Sequence, residues 1–152
     1  MLSVKRSMLL LMLCLTTAAV HAQQPQAVPI AAFINFSNTI PVSETTLSGA
    51  MQLSKGQDVA VGLSQEFNFP GTVISNENVY HNLQTIIIKS SIYNNSLLQI
   101  SKQINEDKSI SYVGRIFNPG GADGYGLSKT ADGAYQLQKF ETAIILQDCH
   151  QQ

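Results

Sequence analysis

The chain has 152 residues, of which 44% are hydrophobic and 12% charged, with 9 basic against 10 acidic side chains. Enough apolar material is present for a packed core, which argues against intrinsic disorder. No basic cluster follows Arg6, which argues against nucleic acid or an anionic membrane surface as a partner, because either needs clustered cations to neutralise phosphates.

The first element in chain order is a targeting segment. Lys5 and Arg6 precede an apolar run from Met8 to Leu15, and small and polar residues lead to Val20-His21-Ala22. This is the order of a cleavable secretory signal over residues 1–22. The apolar run is too short for the roughly 20 residues of a bilayer span, and no later stretch reaches that length, so no stable transmembrane anchor is expected. Cys14 lies inside the run behind the bulky Leu13, which disfavours lipidation. Removing residues 1–22 leaves 130 residues, with seven basic against ten acidic side chains and a net charge near −3. Of the two cysteines only Cys149 would remain, so no internal disulfide could form, and a periplasmic or extracellular bacterial protein fits better than a eukaryotic one.

Residues 23–29 are polar and interrupted by proline, a flexible lead into a single β-rich domain over 30–148. Phe33 to Phe36 form a first strand candidate that ends near Pro41. Residues 44–54 suit either a helix closed by Gly56 or an alternating strand; Thr45, Thr46 and Gly49 weaken the helix and favour the strand. Lys55-Gly56-Gln57-Asp58 turns into a strand at Val59, Val61 and Leu63, and Phe67-Asn68-Phe69-Pro70-Gly71 ends it. Val73 and Ile74 start another.

The second half is clearer. Ile86 to Tyr93 is rich in β-branched residues, and Asn94-Asn95 is a turn pair. Leu98, Ile100 and Ile104 alternate with Gln99, Ser101 and Gln103, the period of two of a half-buried strand. Asn105 to Lys108 turns into Ile110, Tyr112 and Ile116, and the glycine-rich segment 118–124 connects to Tyr125 and Leu127. Ala131-Asp132-Gly133 turns into Tyr135 and Leu137, where Phe140 breaks the phase and predicts a bulge or bend. Ala143 to Leu146 is apolar on both faces and predicts deep burial; residues 149–152 form a frayed tail. About eight or nine strands at hairpin spacing predict an all-β fold, an antiparallel β-sandwich or small barrel.

The search for chemistry returns little. His81, Cys149 and His150 have no zinc spacing, and no cofactor or metal is expected. No Gly-x-Ser-x-Gly motif is present, and Cys149 reads as a free thiol or intermolecular disulfide partner rather than a nucleophile. Glu106, Asp107, Asp123 and Asp132 fall in predicted turns, where acids serve local hydrogen bonding. The weak binding candidates are Tyr80, Tyr93 and Tyr125, near strand ends, and Asp123 in the glycine-rich connection. The function expected is a noncatalytic exported domain that binds a protein or glycan of the cell envelope, or joins a surface assembly, by edge-strand pairing or loop-rim contact. The alternatives are an envelope-polymer hydrolase with a carboxylate pair and a small-molecule carrier with a barrel cavity.

Overall fold

The protein is described by a computed structural model covering residues 31–141. The expected leader over 1–22, the lead over 23–29, the apolar run 143–146 and the tail 149–152 lie outside these residues.

The described chain is almost entirely β. It has strands β1 (Thr39–Val42), β2 (Asp58–Gly62), β3 (Asn68–Tyr80), β4 (Leu83–Lys89), β5 (Leu97–Ile104), β6 (Ile110–Phe117), β7 (Asp123–Lys129) and β8 (Tyr135–Glu141), with a short helix α1 (Glu44–Ala50) between β1 and β2. All eight strands pair antiparallel in one sheet, in the order β1-β8-β7-β6-β5-β4-β3-β2. From β2 onward each strand pairs with its successor, whereas β1 adds to β8. Two strands adjacent in the chain are therefore the two edges of the sheet, which curls into a half-barrel around an apolar concave face.

Period two decides which side chains face inward. Ile86 and Ile88 of β4, Leu98 and Ile100 of β5, Tyr112 and Ile116 of β6, Tyr125 and Leu127 of β7, and Tyr135 and Leu137 of β8 are all buried on the concave side. One sheet with a single apolar face needs a cover. Here α1 supplies it with Leu47 and Ala50 and the following Met51, while the turn at residues 31–36 supplies Phe33.

Residues 44–50 thus form a helix, contrary to the strand expected from their composition. Ser43 caps it: its Oγ accepts from Thr46 N at 3.0 Å, and Glu44 occupies the first turn, where a negative charge is favoured. Leu47, Ala50 and Met51 recur at the three- and four-residue spacing of one helical face. The far end is held by the sheet. Asn76 Nδ2 donates to the Met51 and Leu53 carbonyls at 3.0 and 2.7 Å, and Gln84 Nε2 donates to the Met51 carbonyl at 3.0 Å and to Asn76 Oδ1 at 2.9 Å. Asn76 faces inward because of a bulge. Val73 opposes Ile88 and Ser75 opposes Ile87, so Ile74 is the extra residue and the strand changes phase there.

Three further expectations are corrected. Phe33–Phe36 is a turn, with Phe36 N donating to the Phe33 carbonyl at 3.0 Å, and the first strand starts at Thr39 and contains Pro41. Pro70 and Gly71 do not end a strand but lie within β3, because β4 pairs only as far as Thr72 and the missing Pro70 N–H costs no ladder bond. Phe140 marks no bulge, since β7 and β8 pair without a shift from Lys129–Tyr135 to Asp123–Glu141. Its ring lies on the convex side over Gly124, where a Cβ would come within 2.7 Å of it.

Replacing Asn76 by Ala should lower stability by about 1–3 kcal/mol, because the part-buried Leu53 carbonyl loses its side-chain donor, the Met51 carbonyl keeps only Gln84, and Gln84 loses its acceptor. Urea unfolding followed by far-ultraviolet circular dichroism measures it, with retention of the native midpoint as the contrary result.

Candidate functional site

Connections gather at both ends of the half-barrel, and one end is the richer. There the turn 31–38, the β2–β3 connection, the β4–β5 turn and the β6–β7 connection converge on an aromatic cluster. Phe33 is its centre, with ring centroids 6.0 Å from Phe67, 5.4 Å from Tyr93 and 5.6 Å from Tyr125. Phe36 packs on Phe67 at 4.6 Å.

Three of the four sequence candidates meet here. Asp123 is buried, and its carboxylate accepts from Ala32 N at 2.7 Å and Phe33 N at 2.9 Å. A loop N–H pair is thus satisfied by a charge held in β7, a strong form of backbone anchoring. Lys139 completes the attachment, its Nζ donating to the Phe33 and Phe36 carbonyls at 2.7 and 2.6 Å. Tyr125 is fully buried, and its hydroxyl donates to the Ser37 carbonyl at 2.7 Å. Burial first, and the nearby Asp123 charge second, push its pKa up to about 12. Tyr93 is half-buried; its hydroxyl donates to the Asn68 carbonyl at 3.0 Å, and burial raises its pKa. Tyr80 stands apart, 67% exposed near the β3–β4 hairpin at the opposite end.

The turn pair found in the sequence supports this rim. Asn94 and Asn95 have φ of 49° and 60°, the left-handed region that asparagine tolerates. The remaining acids of the sequence search are scattered. Asp107 accepts from Ser109 N and Oγ in the β5–β6 turn, which holds its carboxyl below the usual range, and Asp132 is held low likewise by the Thr130 hydroxyl in the β7–β8 turn. Among the described residues no three His, Cys, Asp or Glu side chains gather to hold a metal, and no helix is long and apolar enough to cross a membrane.

What the sequence reading missed is the seam between β1 and β2. At the aromatic rim it opens into a cleft of about 420 Å³ lined by Phe36, Ile40, Pro41 and Phe67, with Ser37 and Glu66 among the polar residues at its mouth. Beside α1 lies a separate groove of about 240 Å³, between Gly49, Ala50 and Leu53 on one side and Val59–Gly62 on the other.

The two edges facing this seam are unlike. Gln57 accepts from Val73 N at 2.9 Å and Leu63 N donates to the Phe67 carbonyl at 3.0 Å, so odd-numbered residues of β2 bond inward to β3. Asp58, Ala60 and Gly62 then direct their N–H and C=O groups out of the sheet. On β1, Lys139 N donates to the Asn38 carbonyl at 2.7 Å, which makes Thr39 and Pro41 the outward residues. Pro41 has no N–H, so that edge keeps a single outward donor, at Thr39. Pro41 was the available signal, because a proline inside a strand pattern marks an edge.

The chain matches no protein-family model, no curated protein and no solved structure.

Tyr125 fixes a test of the rim. A tyrosine whose pKa is raised on folding gives stability that is complete below its unfolded value near 10 and is lost as pH rises through about 12. Unfolding free energy should therefore fall across that window, and Tyr125→Phe should flatten the fall. Equal pH dependence in both proteins would show that the buried phenol does not carry it.

Proposed function

We propose that this is a noncatalytic exported β-domain that takes an extended segment of an envelope protein as an added strand on the free edge of β2. One observation carries this reading: the sheet has two edges, and only one is open. Pro41 blunts β1, whereas β2 presents outward donors at Asp58, Ala60 and Gly62 and outward acceptors at Asp58 and Ala60, the Gly62 carbonyl being met by the Thr46 hydroxyl of α1 at 3.5 Å. An added strand gains its affinity from such main-chain bonds and its specificity from pockets for alternate side chains. The groove between β2 and α1 is floored by small residues, Gly49 and Ala50, and leaves room for those side chains.

Other features favour binding over catalysis. Asp123 is occupied with backbone N–H groups, and Asp107 and Asp132 are occupied within their own turns. The concave face is filled by Leu47, Met51, Phe33 and Phe67, which favours a packed support over a carrier's cavity. A protein partner is preferred over a glycan because the β2 edge offers backbone groups in a strand's spacing, and because the chain has no tryptophan with which to stack a sugar. Export rests on the signal pattern of residues 1–22.

The test exploits the direction of the Ala60 N–H. Ala60→Pro deletes an outward donor and no β2–β3 bond, so the protein should keep its unfolding free energy within about 1 kcal/mol while losing capture of envelope proteins in a pull-down read by mass spectrometry. Undiminished capture by folded Ala60→Pro would overturn the edge reading.

A further inference from the structure

Two large apolar side chains stand out of the aromatic rim into solvent: Ile34 is 74% exposed and Ile92 70%. They belong to different connections, the 31–38 turn and the β4–β5 turn, yet their neighbours Phe33 and Tyr93 pack with ring centroids 5.4 Å apart, so one buried cluster fixes both. Phe36, partly buried, packs 5.9 Å from the Tyr93 ring and widens the apolar tip. Charge separates this end from the other. The rim connections 31–38, 63–67, 90–96 and 118–122 carry one charged side chain, Glu66, whereas the connections at the opposite end carry Lys55, Glu106, Asp107, Lys108 and Asp132. Val79 and Tyr80 are exposed as well, but on that charged end. Behind the rim, Lys89 and Glu141 end their strands with opposite signs, and Asp123 and Lys139 are engaged by the 31–36 turn.

We infer that this rim is a membrane-docking tip, on which Ile34 and Ile92 enter the interface of a lipid bilayer with neutral headgroups while Asn35 and Asn95 stay at headgroup level. Binding to a lipid interface draws on buried apolar area and on attraction to anionic lipid. The rim offers the first and lacks the cations for the second, which selects neutral headgroups and makes the contact insensitive to salt. The backbone also suits a medium poor in water, where unmet polar groups are costly. In the β4–β5 turn, Ser90 N donates to the Ser96 carbonyl and Ser96 N to the Tyr93 carbonyl, each at 2.9 Å, and Tyr93 N donates to Ser90 Oγ at 3.3 Å. In the 31–38 turn, Asp123 takes the Ala32 and Phe33 N–H groups and Lys139 takes the Phe33 and Phe36 carbonyls. The tip is separate from the outward groups of β2, so a domain docked through its rim keeps that edge free.

Fluorescence tests it in the full chain, with Cys14 and Cys149 replaced by serine and one cysteine added to carry a polarity-sensitive dye. On addition of phosphatidylcholine vesicles, a dye on Ser91→Cys, an exposed rim position that leaves both isoleucines in place, should shift to the blue at low and high salt alike. A dye on Glu106→Cys, exposed at the opposite end, should not change. Adding Ile34→Ser and Ile92→Ser to the Ser91→Cys chain should raise the lipid concentration needed for the shift at least about tenfold, since two exposed side chains carry the insertion and no core residue is altered. Ala60→Pro should leave the shift as it is. The inference is overturned by the absence of a shift at Ser91→Cys, by equal shifts at both dye positions, by a shift that requires phosphatidylglycerol and vanishes in high salt, or by one that survives the double serine substitution.

Discussion

A single sheet with one apolar face must be covered, and this requirement organises the molecule. No second sheet is present among the described residues, so the cover comes from two short segments: the turn 31–36 and helix α1. Neither could hold its place by hydrophobic contact alone, because each brings backbone groups into the interior that must find partners. Two polar anchors in the sheet supply them. Asp123 and Lys139 hold the turn, and Asn76 and Gln84 hold the helix end.

This division explains why the two edges of the sheet are neighbours in the chain. The helix lies between β1 and β2 in the chain, so a chain that crosses under the concave face to deliver it enters the sheet at one edge and returns at the other. The seam is the geometric residue of that crossing. Its two sides then take opposite characters, blunted by Pro41 on β1 and open at Ala60 on β2. An open edge is a hazard in any β-protein unless something uses it.

The strands from β5 to β8 were legible in the sequence because consecutive hairpins are local: period two, Asn94-Asn95 and the Asp132-Gly133 turn each act within a few residues. The helix was illegible for the converse reason. Thr45, Thr46 and Gly49 are poor helix formers, and the amides that secure the helix sit in β3 and β4, with Asn76 turned inward only by the extra residue Ile74. Phe33 looked like a strand residue because its role depends on Asp123, 90 positions later. Among the binding candidates, composition could place Asp123, Tyr125 and Tyr93 near loops but could not show that they converge on one phenyl ring. The unequal edges require knowing which N–H groups point outward, and that follows from pairing alone.

The attachment of the 31–36 turn also orders events in time. Its bonds join Ala32 and Phe33 to Asp123 across 91 and 90 residues and Phe33 to Lys139 across 106, whereas the strands from β2 to β8 can zip up hairpin by hairpin. Closing such long loops costs entropy before any contact repays it. Loop-closure entropy thus favours assembly of the meander before the 31–36 turn and β1 dock on it. In synthesis from the N-terminus, Phe33 emerges 90 residues before Asp123 and 106 before Lys139, so the turn that covers the sheet precedes the groups that anchor it.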